Sequence, residues 1–285
     1  MKRWMAIVMM VAALLSGCGV MRGGGSVAPP PESPLPERVA PPPQEVPEAA
    51  AAQTLALTIP PGATLLCVGR ALEEMGVCTA AELIEAAQSS DFSEFSLVAA
   101  QAPNPNRFFA LEGYLFPGVF EIYPDESPDS IIRRILSNTE RVMDADLRQA
   151  IADSGYTVDE IITIASIIQK ESLGIDAVKP LVSSVIHNRL HAGMMLQMCY
   201  TAFYVRDVID PFFDGEANPF GPYYNTYICP ALPAGAICNP GLEAIRAALL
   251  PADTAYFFYI WDDDDGFHFA VTWEEHVANV QRYLR

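Results

Sequence analysis

Glu171 is the first residue from which chemistry can be argued. It closes the run Ile164-Ala165-Ser166-Ile167-Ile168-Gln169-Lys170-Glu171, following Ile168, Ile167 and Ile164 by three, four and seven positions. On a helix these spacings share one face, so the carboxyl projects on or beside an apolar stripe. It also stands at the helix C-terminus, where the backbone dipole disfavours negative charge. Burial and dipole both raise a carboxyl pKa, and a nearby Lys170 opposes them. A Glu that keeps its proton near neutrality suits general-acid catalysis. An exposed Glu at a helix end has the same spacing, so the pattern alone leaves both readings open.

Other residues invite metal chemistry. His187 and His191 are four apart on a predicted helix, as two zinc ligands would be. The sequence between them is Asn-Arg-Leu, without the Glu that serves as base in the HExxH motif. Asp262 to Asp265 suggests calcium. With Gly266 at loop position six, however, Trp261 falls at position one and Thr272 at position twelve, so the pattern fails. A solvated hairpin turn explains those acids better. The cysteines have no CxxC spacing, and neither a metal nor another cofactor is called for.

The elements that must carry these residues read as α+β. Thr157-Val158-Asp159-Glu160 is a capping box, which starts a helix over 157–171. Further helices are expected over 127–137, 144–153, 179–191 and 240–250, the last ended by Pro251. A strand over 256–261 pairs with 267–271 across the acidic turn. Toward the N-terminus, 55–59 reads as a strand stopped by Pro60-Pro61-Gly62. Helices follow over 65–75, with Gly76 as cap, and from Thr79 to Ala87. This strand–helix–helix piece is a small unit over 55–98, and a larger mixed α/β domain occupies 99–285. No internal repeat is visible.

With 51% hydrophobic residues among 285 there is ample material for a core, in one large domain or two smaller ones. A net charge of -18 argues against binding nucleic acid through its phosphates. Lys2 and Arg3 precede an apolar stretch from Trp4 to Leu15, shorter than the ~20 residues of a membrane span. Leu15-Ser16-Gly17-Cys18 then fits a lipobox, with 1–17 as signal peptide and Cys18 lipidated as a membrane anchor. An ordinary signal peptide or short signal anchor fits the same residues. Each reading places the remainder outside the cytoplasm. Gly23-Gly24-Gly25, Pro29-Pro30-Pro31 and Pro41-Pro42-Pro43 make the rest of 18–54 a tether. Export permits disulfides. Cys229 and Cys238 flank one loop and could pair, whereas a helix between Cys67 and Cys78 could hold them apart. With Cys199 the count is odd, leaving at least one thiol free or paired between chains.

An ordered set of motifs adds to this. It comprises Leu111-Glu112-Gly113-Tyr114-Leu115-Phe116-Pro117, the Ile164–Glu171 run, Val185-Ile186-His187-Asn188-Arg189-Leu190 and Gly193-Met194-Met195-Leu196-Gln197. Tyr224-Asn225-Thr226-Tyr227, Leu232 to Gly241, His268-Phe269 and His276 complete it. From about Leu55 onward the chain resembles the MltG/YceG-like endolytic murein transglycosylases. The resemblance implies a LysM-like unit over 55–98 and a YceG-like catalytic domain over 99–285. It implies non-hydrolytic cleavage of the β-1,4 bond from N-acetylmuramic acid to N-acetylglucosamine in peptidoglycan, leaving 1,6-anhydro-muramic ends. It also implies association with wall-synthesis proteins and a role in terminating nascent strands. The family's catalytic glutamate falls on Glu171. Gln197, Asn225, Thr226, Tyr227, Asn188 and Glu112 become candidate substrate contacts, through amide, hydroxyl and carboxyl groups and one aromatic face. For Asn188 the buried hydrogen-bond anchor is the stronger reading, and Glu112 orients the site or caps a turn. Three departures stand out: Gln169 where relatives often carry Glu, Met198-Cys199-Tyr200 in place of a Thr-Asp-Pro type of sequence, and Val277 where Asn is common. The altered loop keeps a rival open, a murein-binding lipoprotein of the same fold without turnover.

Overall fold

The computed structural model describes residues 53–264 and 266–284. The signal peptide, Cys18 and the tether up to residue 52 lie outside the described residues. Strand β1 (Leu55–Ile59) leads into α1 (Leu65–Glu74), capped by the Thr64 hydroxyl, and α2 (Ala80–Ser89), which opens on a Thr79–Glu82 capping box. A single turn, α3 (Ser96–Ala99), precedes β2 (Gly118–Ile122). β2 pairs antiparallel with β1, Leu55 opposite Ile122 and Ile59 opposite Gly118. Leu57, Ile59, Phe120 and Ile122 are buried while their neighbours face solvent, the period of two that a one-sided sheet requires. The unit expected over 55–98 therefore draws its second strand from beyond that range, because a lone strand leaves its backbone groups unpaired. The described residues fall within one compact unit.

Helices α4 (Pro128–Val142), α5 (Ala145–Ser154), α6 (Val158–Glu171) and α7 (Lys179–His191) follow. The expected Thr157–Glu160 capping box starts α6. Next come α8 (Cys199–Tyr204), a π turn (Val205–Ile209), a 3-10 turn (Asp210–Phe213) and α9 (Gly221–Tyr224). After α10 (Leu242–Leu249), a hairpin of β3 (Phe258–Trp261) and β4 (Phe267–Ala270) precedes α11 (Trp273–Tyr283). Among the described residues no helix is long and apolar enough to cross a membrane.

α6 is the core of the molecule. Every residue from Ile161 to Gln169 is buried, against α5, α7, α8 and α10. The single apolar stripe expected from spacing is thus replaced by burial on all sides, as for a helix packed all round. What brings Glu171 to a cavity is its place at the helix end, before Ser172 caps it and the chain turns through Leu173 and Gly174 at positive φ.

Asn239 ties the parts together. Fully buried, it accepts from the Gly113 and Leu115 N–H groups at 3.0 and 2.9 Å and donates to the Ala63 carbonyl at 2.9 Å. Gly113 has φ +91°, and a Cβ there would lie 2.6 Å from Ala236 Cβ and 2.7 Å from Ile162 Cγ2. Only glycine fits.

The Cys229–Cys238 pairing does not form. All five described cysteines are free thiols. Cys238 donates to the Ser166 carbonyl and Cys229 to carbonyls of its own loop, so each sulfur faces a separate partner.

Candidate active site

Glu171 is 1% exposed. One carboxyl oxygen accepts from the Tyr200 backbone N–H at 3.0 Å, and the other from the Tyr259 hydroxyl at 2.7 Å. The same carboxyl lines a cavity of about 630 Å³, a volume within the range of small-molecule sites. Burial drives its pKa upward, and the bonds from Tyr259 and the Tyr200 N–H hold that rise in check. The Tyr259 phenol is pushed far up, by burial first and then by the Glu171 charge, so it stays a donor. Glu171 is thus a buried acid with a place for its charge once the proton leaves.

Two devices position these donors. The first is the turn before α8. Gln197 sits at φ +50°, an unusual conformation for a side-chain-bearing residue, and its N–H donates to the Thr226 carbonyl. The Met198 N–H donates to Thr226 Oγ1 at 2.9 Å, and Thr201 joins the same hydroxyl pair at 2.9 Å. This latch aims the start of α8, and hence the Tyr200 N–H, at Glu171. The second is α7. Asn188 donates to the Thr254 and Tyr256 carbonyls at 2.9 and 2.8 Å. Arg189 donates to the Phe257 carbonyl at 2.6 Å and the Leu196 carbonyl at 2.7 Å, and its guanidinium lies 5.1 Å from the centre of the Phe258 ring. Arg189 therefore clamps the Gln197 turn to the strand carrying Tyr259.

The residues singled out from the sequence separate on this geometry. Gln197 and Tyr227 line the cavity with Glu171. Asn225 stands behind Tyr227, accepting its N–H at 3.0 Å. Asn188 and Thr226 do not line the cavity; the Asn188 amide nitrogen donates to backbone carbonyls, and the Thr226 hydroxyl is taken by the Met198 N–H and the Thr201 hydroxyl. Glu112 also departs from the expected substrate contact. It is 2% exposed, does not line the cavity, and accepts from the Leu65 N–H and the Tyr204 hydroxyl, both at 3.0 Å. Burial pushes its carboxyl up to about 7, against those bonds and the Lys170 charge. Among the described residues two glutamates are buried, each with its pKa raised by burial, and of the two Glu171 lines the cavity.

The zinc alternative has no support in the geometry. His187 Nε2 meets the Ala248 carbonyl at 2.9 Å and Nδ1 meets the Tyr156 hydroxyl at 3.3 Å, so both ring nitrogens are taken. Asp262 binds the Gly266 N–H and His268, closing the hairpin turn. Gln169 is buried and accepts from the Gly241 N–H at 3.0 Å, a structural bond. The departure at Met198-Cys199-Tyr200 is of another kind. It lies on Glu171 itself, with Cys199 Sγ 3.2 Å from the Tyr227 hydroxyl. Sequence reading passed over Tyr259 because Tyr256 to Trp261 reads as an apolar strand. A hydroxyl inside such a run, needing a buried partner, was the available signal.

Comparison with known proteins adds the relationship. Residues 43–282 match the YceG-like family. An endolytic murein transglycosylase of Bacillus subtilis is 29% identical over 182 residues, which are 64% of this chain and 50% of that protein. One from Streptococcus pneumoniae is 26% identical over 186 residues, 62% of this chain and 33% of the relative. The chain thus spans between a third and a half of the length of these relatives. The crystal structure of a yceG-like protein from Listeria monocytogenes superposes with a TM-score of 0.67 at 26% identity, covering 78% of this chain and 75% of that one.

Proposed function

Since the chain belongs to the YceG-like family, we propose that it is an endolytic murein transglycosylase with Glu171 as acid and then base. The observation that carries this reading is the buried Glu171 carboxyl, its pKa raised by burial and its side chain lining the cavity. In the first half-reaction Glu171 gives its proton to the glycosidic oxygen as the bond to the muramic anomeric carbon breaks. Positive charge grows on the sugar while negative charge grows on Glu171. Tyr259 and the Tyr200 N–H stabilise that carboxylate without having to move. In the second half, the sugar's own 6-hydroxyl attacks the anomeric carbon and yields its proton to Glu171, which is regenerated. The nucleophile belongs to the substrate, so no water needs a binding place and no second carboxylate is required, unlike the two-carboxylate glycosidases.

Gln197 and Tyr227 contact the glycan in this reading. Glu112, Asn188, Asn225 and Thr226 support it from behind. The strand–helix–helix piece from residue 55, closed by β2, is the part we read as LysM-like. We further place the domain outside the cytoplasm, anchored through a lipid on Cys18 and held beside wall-synthesis proteins by its tether. Digestion of peptidoglycan with the domain from residue 53 onward, followed by mass spectrometry, tests the activity. Internal cuts with wild type and none with Glu171→Gln support it. Equal cutting by both proteins removes Glu171 from the role, and binding without cutting by either favours a murein-binding protein.

A further inference from the structure

The cavity has a second wall that the chemistry above leaves unused. Phe258, Trp273 and His276 form a triad with ring centres 5.2 to 5.8 Å apart, and all three line the cavity together with Trp261. Trp273 is 59% exposed. It stands in the first turn of α11, whose start is fixed by the Thr272–Glu275 capping box. His276 Nδ1 is buried and without a partner among the described residues, although buried ring nitrogens normally find one. Asp262 and Asp263 lie at the same wall.

These features specify a ligand chemistry. A broad indole face open to solvent takes the apolar C–H face of a pyranose, while a lone ring nitrogen takes a hydroxyl or amide N–H at the ring's edge. The carboxylates of Asp262 and Asp263 outnumber the single cation that lines the cavity among the described residues, Arg189, whose N–H groups are bonded to the Phe257 and Leu196 carbonyls, and so disfavour an anionic ligand. From these observations we infer that Trp273 and His276 form a subsite for a neutral N-acetylhexosamine ring. Resting on the proposed activity, this assigns the wall to the N-acetylglucosamine unit beside the cleaved bond, since the muramic unit carries a carboxyl-bearing lactyl substituent.

The probe is chitotetraose, an oligomer of N-acetylglucosamine alone, titrated into the inactive Glu171→Gln protein by calorimetry. Trp273→Ala should weaken binding about tenfold or more, through loss of one desolvated aromatic face. Trp273→Phe, which keeps a face, should restore most of the affinity. Unchanged melting temperatures separate lost contact from lost fold. Equal affinity in Trp273→Ala and its parent overturns the inference, as does an absence of chitotetraose binding at millimolar concentration. The proposed activity fails separately. If wild type makes no cuts in peptidoglycan while chitotetraose binding still depends on Trp273, the subsite stands and the catalytic reading falls.

Discussion

Replacing Tyr259 by Phe tests how Glu171 is tuned. The substitution removes one hydroxyl and keeps the ring, which packs against Phe267 and Phe269 with centres 6.1 and 5.7 Å away. What disappears is a 2.7 Å bond to the Glu171 carboxyl. A hydrogen bond to a charged group contributes about 1.5–3 kcal/mol. The bond favours the ionised form, so its loss lets burial raise the Glu171 pKa further. Glu171 must be protonated to begin the reaction, so activity falls as pH rises through that pKa. The alkaline limb of kcat/KM on soluble glycan strands therefore moves to higher pH. The plateau drops about tenfold, because the carboxylate formed in the transition state loses a donor. A limb that stays in place, or moves to lower pH, refutes the reasoning. A lower plateau alone would reduce Tyr259 to a packing residue.

Glu112 provides a control in which a similar carboxyl has no catalytic part. Its folded pKa, about 7, lies above its ordinary 4.5. Its contribution to stability is therefore complete below about pH 4.5 and is lost as pH climbs through 7, on the order of 3 kcal/mol in all. Glu112→Gln should flatten that decline in urea unfolding between pH 4.5 and 8 and leave the catalytic pH limb unmoved. Gly113→Ala puts a methyl group against Ala236 and Ile162 at φ +91°. A loss of about 2–5 kcal/mol is expected, read from the urea midpoint.

Much of the frame was legible in the residues. The Thr157–Glu160 pair marked the start of α6 to the residue, and the 3.6-residue rhythm found the helices flanking it. The β3–β4 hairpin followed from apolar runs around an acidic turn. β2 went unread because its partner is some sixty residues upstream, and pairing at that distance leaves no local signal. α11 was missed although Thr272 and Glu275 carry the same capping box as α6. Of the candidate site residues read from the sequence, Glu171, Gln197 and Tyr227 line the cavity. Glu112, Asn188 and Thr226 bear the same polar groups as sugar ligands, and only their buried backbone partners distinguish them. The donors to Glu171 are a backbone N–H and a tyrosine in a strand, so residue type does not announce either one.

In the proposed reaction the attacking oxygen comes from the sugar and Glu171 handles both proton transfers. Digesting peptidoglycan in ¹⁸O-labelled water and weighing the new ends measures this directly. Wild type is expected to give 1,6-anhydro-muramic ends without label, and Glu171→Gln none. Reducing ends carrying one ¹⁸O atom would mean that water is the nucleophile, and would contradict the proposed reaction.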